Sequence, residues 1–471
     1  MEKKLPSGFL RSTELLFGAE RFARFMDAMD AEPVVSIRLN PGKVVSAPCG
    51  VQCLGMDADG GPTVESAALT DAAPPAAEHI TARVPWCDHG FYLSERPAFT
   101  FDPLLHAGCY YVQEAASQFI VHCARFALQR VLGSATYALD LCAAPGGKST
   151  ALRTVLPPGC LLVSNEPMRP RAQVLSENIQ KWGHDNCLVT SNYAVDFARG
   201  GLKELFGLIV CDVPCSGEGM FRKDPASVGE WSPENVARCQ RLQRQIVSDI
   251  WPCLAPGGIM IYSTCTYNMA ENEENLRWLQ EQTGASIVGV PTLSEWGITG
   301  SLLPAFSAPV YRFIPGLTRS EGLFMAMLRK PGEYATKTVP PKAQSKVAQA
   351  LARLSVLHTS YAPVAMACTA KGSRRTEAPS CAEALALSLR QDKYPMAELS
   401  YPSAIAYLRH EAIALPPETP RGYVVVTFRG HPLGFVKNVG PRANNLYPRE
   451  WAIRSSHAPE SYTAVSKMLI L

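Results

Sequence analysis

Two cysteines and one aspartate carry the most specific chemistry in this chain of 471 residues. Asp212 and Cys215 lie in Val210-Cys211-Asp212-Val213-Pro214-Cys215-Ser216-Gly217-Glu218-Gly219. Cys265 lies in Tyr262-Ser263-Thr264-Cys265-Thr266-Tyr267-Asn268. Each motif follows an apolar run that reads as a strand, so the three groups stand at strand exits. The thiolate is the reactive form of cysteine, a strong nucleophile and a competent leaving group. Methylation of carbon 5 of cytosine needs both properties. That carbon is too weak a nucleophile to attack a sulfonium methyl, and thiolate addition to carbon 6 makes it enamine-like. The proton on carbon 5 must then leave before the thiolate is eliminated, so one hard step becomes several easier ones. An acid at ring nitrogen 3 neutralises developing negative charge, and Asp212 is placed to be that acid if burial raises its pKa. Contact with cofactor or base, without proton transfer, is the alternative for Asp212. Ordinary burial at a strand end is the alternative for each thiol.

A methyl donor needs its own site beside these groups. Ala138-Leu139-Asp140-Leu141-Cys142 runs into Ala143-Ala144-Pro145-Gly146-Gly147-Lys148. Small residues let backbone approach a ligand at the carboxyl end of a first strand, where open α/β sheets bind ligands. Cys142, Ala143, Ala144, Pro145, Gly146, Gly147 and Lys148 are therefore candidate contacts for S-adenosylmethionine, with the Lys148 charge suited to its carboxylate. Glu166 ends the second strand, at the spacing where an acid accepts from both ribose hydroxyls. The adjacent Gly146-Gly147 pair fits neither the G-x-G-x-x-G fingerprint nor a Walker loop. A tight strand-to-helix turn of any α/β fold is the plainer alternative.

The elements that must position these residues follow from periodicity. Strands are expected at Tyr137–Cys142, Cys160–Asn165, Cys187–Thr190, Leu208–Asp212, Ile259–Ser263 and Leu323–Leu328. Helices alternate with them near 147–155, 168–181, 234–253 and 271–281, the pattern of an α/β doubly wound sheet. Upstream, residues 8–30 read as helical, 34–41 as a strand ended by a turn, and 84–86 and 90–93 as short strands. Residues 56–80, rich in Ala, Gly, Asp and Pro, read as a surface loop. Residues 422–436 read as a β-hairpin. The expected organisation is an α+β N-terminal module at 1–100, the α/β core at 101–330, a linker at 331–380 and a β-rich C-terminal module at 381–471.

Composition bounds the class. Apolar residues at 47% and charged residues at 18% fit a globular protein with sizeable cores. No run reaches the roughly 18 apolar residues of a spanning helix, and Lys3 and Lys4 are followed by no secretory apolar stretch. The 15 cysteines include no Cys-x-x-Cys pair, so a reducing compartment and no structural metal are expected. Net charge is +3 overall, yet residues 331–471 hold 17 Lys and Arg against 9 Asp and Glu. That excess of positive charge suits either a polyanion or an ordinary solvated surface.

Cys142-Ala-Ala-Pro-Gly-Gly-Lys148, Asp212-Val-Pro-Cys-Ser-Gly217 and Ser263-Thr-Cys-Thr-Tyr267 together resemble motifs of the bacterial RsmB/RsmF and eukaryotic Sun-type RNA 5-methylcytosine methyltransferases. Glu218–Pro225, Trp231-Ser-Pro233, Trp86-Cys87, Gly90-Phe91-Tyr92 and Tyr110–Glu114 are similar to the RsmF branch in particular. The resemblance implies a Rossmann-like S-adenosylmethionine methyltransferase core with a PUA-like RNA-binding end. It implies Cys265 as nucleophile and Cys215 as the thiol that assists release. It implies RNA as substrate, 16S ribosomal RNA first, with transfer RNA or 23S ribosomal RNA as alternatives. A cytoplasmic monomer with no membrane and no stable protein partner is expected. A ribosome-assembly factor with vestigial methylation, and a methyltransferase of proteins or small molecules, are the competing classes.

The family also carries an aspartate after the third strand that contacts adenine. The matching position here is Ala194, with Asn192 expected to substitute and Asp196 as the alternative. Arg222 and Lys223 are candidate phosphate contacts, and Phe221, Trp231 and Tyr267 are either stacking platforms or core. Gly434–Pro448 resembles the PUA-like end, offering Lys437, Arg442 and Arg449 near Tyr447. Arg38 and Asn40 resemble an N-terminal segment that flanks RNA; a strand-end turn is their alternative.

Overall fold

The computed structural model describes residues 5–44, 55–56, 62–63, 80–335, 341–361, 364, 378–390, 392–455 and 459. The loop expected over 56–80 lies mostly outside these residues, with short paired strands at Gly55–Met56 and Pro62–Thr63.

Near-continuous apolar runs, buried on both faces, build the central sheet. Its parallel strands are β5 (Tyr137–Asp140), β6 (Leu161–Asn165), β7 (Cys187–Thr190), β8 (Phe206–Asp212) and β9 (Leu254–Thr264). Three short strands, β10 (Ser286–Val288), β11 (Tyr311–Phe313) and β13 (Val356–Thr359), and the longer β12 (Leu323–Arg329) complete it. The order is β10-β12-β9-β8-β5-β6-β7-β13, with β11 also paired to β12. Leu162, Leu208, Val210, Ile259 and Ile261 face one side, against Phe119 and Ile120 of α3 (Phe119–Phe126) and Leu152 of α4 (Gly147–Val155). Leu161, Val163, Ile209 and Met260 face the other, against Val247 and Ile250 of α6 (Pro233–Ile250) and Leu276 and Leu279 of α7 (Glu273–Thr283). Helix α5 (Arg169–Trp182) links β6 to β7. The winding reverses between β5 and β8, which makes their carboxyl ends the switch-point crevice.

The N-terminal sheet is antiparallel, in the order β2 (Ile80–Arg83), β3 (Gly90–Leu93), β1 (Val35–Leu39), β4 (Tyr110–Val112). The helical segment expected over 8–30 divides into two helices, α1 (Ser7–Phe17) and α2 (Ala19–Asp30). Gly18 between them has φ of 74°, which breaks the helical path. The C-terminal module holds helix α9 (Tyr401–Leu408) and a four-stranded sheet of β14 (Met396–Glu398), β15 (Gly422–Phe428), β16 (His431–Asn438) and β17 (Ala443–Asn445). The β15–β16 pair is the expected hairpin, turning at Arg429-Gly430.

Within the 331–380 stretch, expected as a linker, two elements belong to the central sheet. Helix α8 (Pro341–Ala352) buries Leu351, and β13 pairs antiparallel with β7 at the sheet edge. Proline and lysine content suggested a linker; the apolar spacing of Val347, Leu351 and Leu354 outweighs it by packing on the sheet's second face.

Candidate functional site

Parallel strands that end together gather side chains distant in sequence. The exits of β5, β6, β8 and β9 bring the Cys142–Lys148 loop, Glu166, Asp212 and Cys265 to one edge. Asp212 and Ser263 are register partners across β8 and β9. The Cys215 and Cys265 sulfurs lie 3.1 Å apart, each partly exposed, and the Cys265 backbone N–H donates to the Cys215 Sγ at 3.3 Å. The hydrogen bond with Cys265, helped by burial, pushes the Cys215 thiol well above the usual thiol range.

Asp212 is held by two donors. Lys148 Nζ reaches its Oδ2 at 2.8 Å, and Ser263 Oγ donates to its Oδ1 at 2.6 Å. Burial pulls the Lys148 ammonium down, but the Asp212 carboxylate, with Asp140 and Cys265 adding to it, outweighs burial and the net shift is upward. Lys148, read as the partner of the cofactor carboxylate, therefore serves Asp212 first. One of its three N–H groups is committed there.

The loop before α4 turns through Gly146, whose φ of 117° is a conformation that disfavours side chains. A Cβ there would meet Leu175 at 3.3 Å and Asn178 at 3.4 Å. Asn165 ties the edge together. Its Nδ2 donates to the carbonyls of Leu141 and Asn192, and its Oδ1 accepts from Thr190 Oγ1 and Asn192 N. Glu166 is buried. It accepts from Met168 N at 3.1 Å and lies 3.5 Å from Arg171 Nη1. Beneath them, Asp140 accepts from Ser149 Oγ at 2.7 Å while its Oδ1 has no hydrogen-bond partner. Burial raises Asp140 to about 7, with the Ser149 hydrogen bond opposing and Asp212 reinforcing the shift.

Several expected contacts take other work. The Asn192 amide is engaged by Ser355: its Oδ1 accepts from Ser355 N at 3.0 Å and its Nδ2 donates to Ser355 O at 3.4 Å. That clamp carries the chain from α8 into β13. Asp196 caps the short helix Ala194–Arg199 by accepting from Tyr193 N at 2.9 Å. Arg222, expected at a phosphate, is instead buried in a two-pronged pair with Glu321, at 2.7 and 2.9 Å, and donates to Ala28 O. Phe221 and Tyr267 are core, packed with Phe9, Phe17 and Phe25 of α1 and α2. Trp231 lies at the edge of that cluster and donates to Glu218. Arg38 is also buried. It donates to Gln113 and Thr150, and its guanidinium lies 4.6 Å from the centre of the Trp182 ring. Asn40 donates to the carbonyls of Gly108 and Trp182, so both residues join the N-terminal module to the core rather than face RNA. Lys223, Lys437, Arg442 and Arg449 are exposed, and Tyr447 is buried.

Sequence reasoning missed Asp140, Asn165, Glu218 and Glu271. Asp140 had a signal, a carboxylate inside an apolar strand. The others act through backbone partners that sequence does not display. Among the described residues no helix is long and apolar enough to cross a membrane, and no three His, Cys, Asp or Glu are grouped to hold a metal ion.

This architecture is shared with solved methyltransferases. NSun6 from Pyrococcus horikoshii, solved with SFG, superposes with a TM-score of 0.51 at 18% identity, covering 69% of this chain and 98% of that one. The likeness defines a Rossmann-like methyltransferase fold. Family models match at residues 132–329 (16S rRNA methyltransferase RsmB/F), 63–115 (N-terminal domain of 16S rRNA methyltransferase RsmF) and 395–453 (methyltransferase RsmF PUA domain). The ribosomal RNA small subunit methyltransferase F of Serratia proteamaculans is 31% identical over 424 residues, covering 78% of this chain and 84% of the relative. The chain belongs to the RsmF family. The corresponding protein of Aliivibrio fischeri is 35% identical over 268 residues, and that match spans about half of each chain, 56% of this one and 54% of the relative.

Proposed function

We propose that this protein transfers a methyl group from S-adenosylmethionine to carbon 5 of a cytosine in RNA, with small-subunit ribosomal RNA as the first candidate. The observation that carries this reading is the pair of sulfurs 3.1 Å apart beside Asp212 at the switch-point edge. Methyltransferases of proteins or small molecules have no evident need for two apposed thiols. The names of the curated relatives and the PUA family match support RNA as the substrate.

The edge fits the cofactor. A glycine turn opens the backbone at Gly146, Glu166 offers a buried carboxylate for ribose hydroxyls, and Asp140 offers a buried oxygen without a partner. When bound, S-adenosylmethionine supplies an electrophilic methyl group. Cys142–Lys148, Glu166 and Asp212 are the residues assigned to hold it. Adenine contact by Asn192 would require release of its Ser355 clamp, so backbone groups of the Ser191–Tyr193 turn are the better candidates.

Cys265 forms the bond to carbon 6 as thiolate. Asp212 is assigned the contact with ring nitrogen 3, and the Lys148 ammonium on its Oδ2 is the source of the proton which that nitrogen takes up. The Cys215 thiol, held high by its hydrogen bond with Cys265 and by burial, keeps its proton, and the choice of Cys265 for attack follows the family motif. Release is a β-elimination: a solvent base takes the carbon 5 proton, the freed electron pair restores the carbon 5–carbon 6 double bond, and the Cys265 sulfur leaves as thiolate, with the Cys215 thiol 3.1 Å away donating to it.

Covalent trapping tests the reading. RNA carrying 5-azacytidine is expected to form a denaturation-resistant adduct with the wild type and none with Cys265→Ala, whose turnover falls by roughly 10³-fold or more. Cys215→Ala is expected to accumulate adduct on ordinary RNA. Trapping that survives Cys265→Ala but not Cys215→Ala would reverse the two roles.

A further inference from the structure

The two sulfurs belong to loops 50 residues apart, and no covalent link fixes their separation. An exchange of carboxylates does. Glu218 leaves the Cys215 loop and enters the other. Its Oε2 accepts from Thr266 Oγ1 at 2.6 Å, Tyr267 N at 2.8 Å and Asn268 N at 3.0 Å. Its Oε1 accepts from Trp231 Nε1 at 2.9 Å and Asn268 Nδ2 at 3.1 Å. Glu271 leaves the Cys265 loop and returns. Its Oε2 accepts from Ser216 N at 3.0 Å and Gln243 Nε2 at 2.6 Å, and its Oε1 accepts from Asn268 Nδ2 at 2.8 Å. Ser216 and Thr266, the residues that follow each cysteine, share a hydroxyl contact of 2.9 Å.

Both carboxylates are buried, Glu218 at 2% exposure and Glu271 at 0%. Buried charge is costly unless fully hydrogen-bonded, and an apolar filler would hold two loops together at less cost. What charged acceptors add is direction, since each oxygen fixes specific N–H groups. The Glu271 contacts converge next to Cys215, and the Glu218 contacts next to Cys265. We propose that Glu218 and Glu271 are positioning residues for the two thiols, Glu218 setting the attacking sulfur and Glu271 the releasing one. The assignment of attack and release rests on the cytosine-5 reading above; the positioning of the sulfurs does not.

The test uses full-length Glu218→Gln and Glu271→Gln. Each places an N–H donor where the native oxygens meet only donors. Phenylarsine oxide reads the sulfur geometry without RNA or cofactor: its arsenic bonds both sulfurs, and the two thiol protons leave with its oxygen as water. Both variants are expected to weaken that capture about tenfold. Glu218→Gln is expected to slow adduct formation on 5-azacytidine RNA by about 10²-fold, the scale of a 1 Å misplacement. Glu271→Gln is expected to keep that rate within about threefold and to accumulate adduct on ordinary RNA, as Cys215→Ala does. Should a glutamine variant fail to fold, Trp231→Phe and Gln243→Met remove one donor from each carboxylate and carry the same split in smaller measure. Unchanged arsenical capture, or equal slowing of both steps in proportion to lost thermal stability, overturns the proposal. A wild type that captures the arsenical but forms no RNA adduct overturns the cytosine-5 reading instead, and the capture data alone then decide the positioning.

Discussion

Asp140 joins the local chemistry of the edge to a bulk measurement. Burial raises its carboxyl from the ordinary 3.8 to about 7, with Lys148, Asp212 and Glu166 as its charged neighbours. Below about pH 4 the carboxyl is protonated in both folded and unfolded chains. Between pH 4 and 7 the unfolded chain loses that proton and the folded chain keeps it, so stability falls as pH rises. Asp140→Asn removes the titration. Its stability relative to wild type should grow from pH 4 to pH 8 by on the order of 4 kcal/mol, read from urea midpoints. A difference that stays flat with pH would mean that Asp140 is solvated or paired. At this scale the sequence was a good guide to residue type and a poor one to burial. Cys215, Cys265, Asp212 and Lys148 meet as their motifs suggested, because strand exits fix where they stand. Arg222 and Arg38 look the same as surface cations in sequence, yet both lie buried against specific acceptors.

Elements were legible wherever apolar strands alternated with amphipathic helices. The five parallel strands and the four principal helices of the core fall within a few residues of expectation. The long β9 starts five residues early, at Leu254 rather than Ile259. The short strands at Ser286–Val288, Tyr311–Phe313 and Val356–Thr359 went unseen, because they lie outside the regular strand–helix alternation that marked the equally short Tyr137–Asp140 and Cys187–Thr190. They exist because a neighbouring edge offers unpaired backbone groups, which is tertiary information. Helix α8 is the instructive case. Leu351 is fully buried on the second face of the sheet, and Ser355 just beyond it is gripped by Asn192. Leu351→Ala should therefore cost about 2–5 kcal/mol, measured by chemical denaturation of the intact chain. A loss below about 0.5 kcal/mol, typical of an exposed site, would return this stretch to the status of a linker.

At the scale of the whole molecule, the two ends of the chain build one core. Ile37, Leu39, Phe91, Leu104 and Tyr110 of the N-terminal module share a buried cluster with Tyr407, Leu408, Val424, Val436 and Tyr447 of the C-terminal one. Polar contacts tie the C-terminal module to the N-terminal one and to the end of α5. Tyr401 donates its hydroxyl proton to Phe101 O at 3.1 Å, and Leu387 N donates to Gly183 O at 2.8 Å. Lys181, paired with Glu177, reaches His106 at 3.4 Å and lies 5.5 Å from the centre of the Trp451 ring. Nothing in sequence pairs residues 35–112 with residues 381–453, because no local period spans that separation. The consequence differs sharply from that of a tethered, separable RNA-binding end. A chain ending at residue 380 would expose the N-terminal half of this cluster to water, a contiguous apolar patch that a soluble surface rarely tolerates. Such a truncation should bind a hydrophobic dye, melt at lower temperature than the intact chain, and lose protection of β1 and β3 amides against hydrogen exchange. If those amides stay as protected as in the intact protein, the two modules are thermodynamically independent and the shared core contributes little to holding the N-terminal sheet over the site.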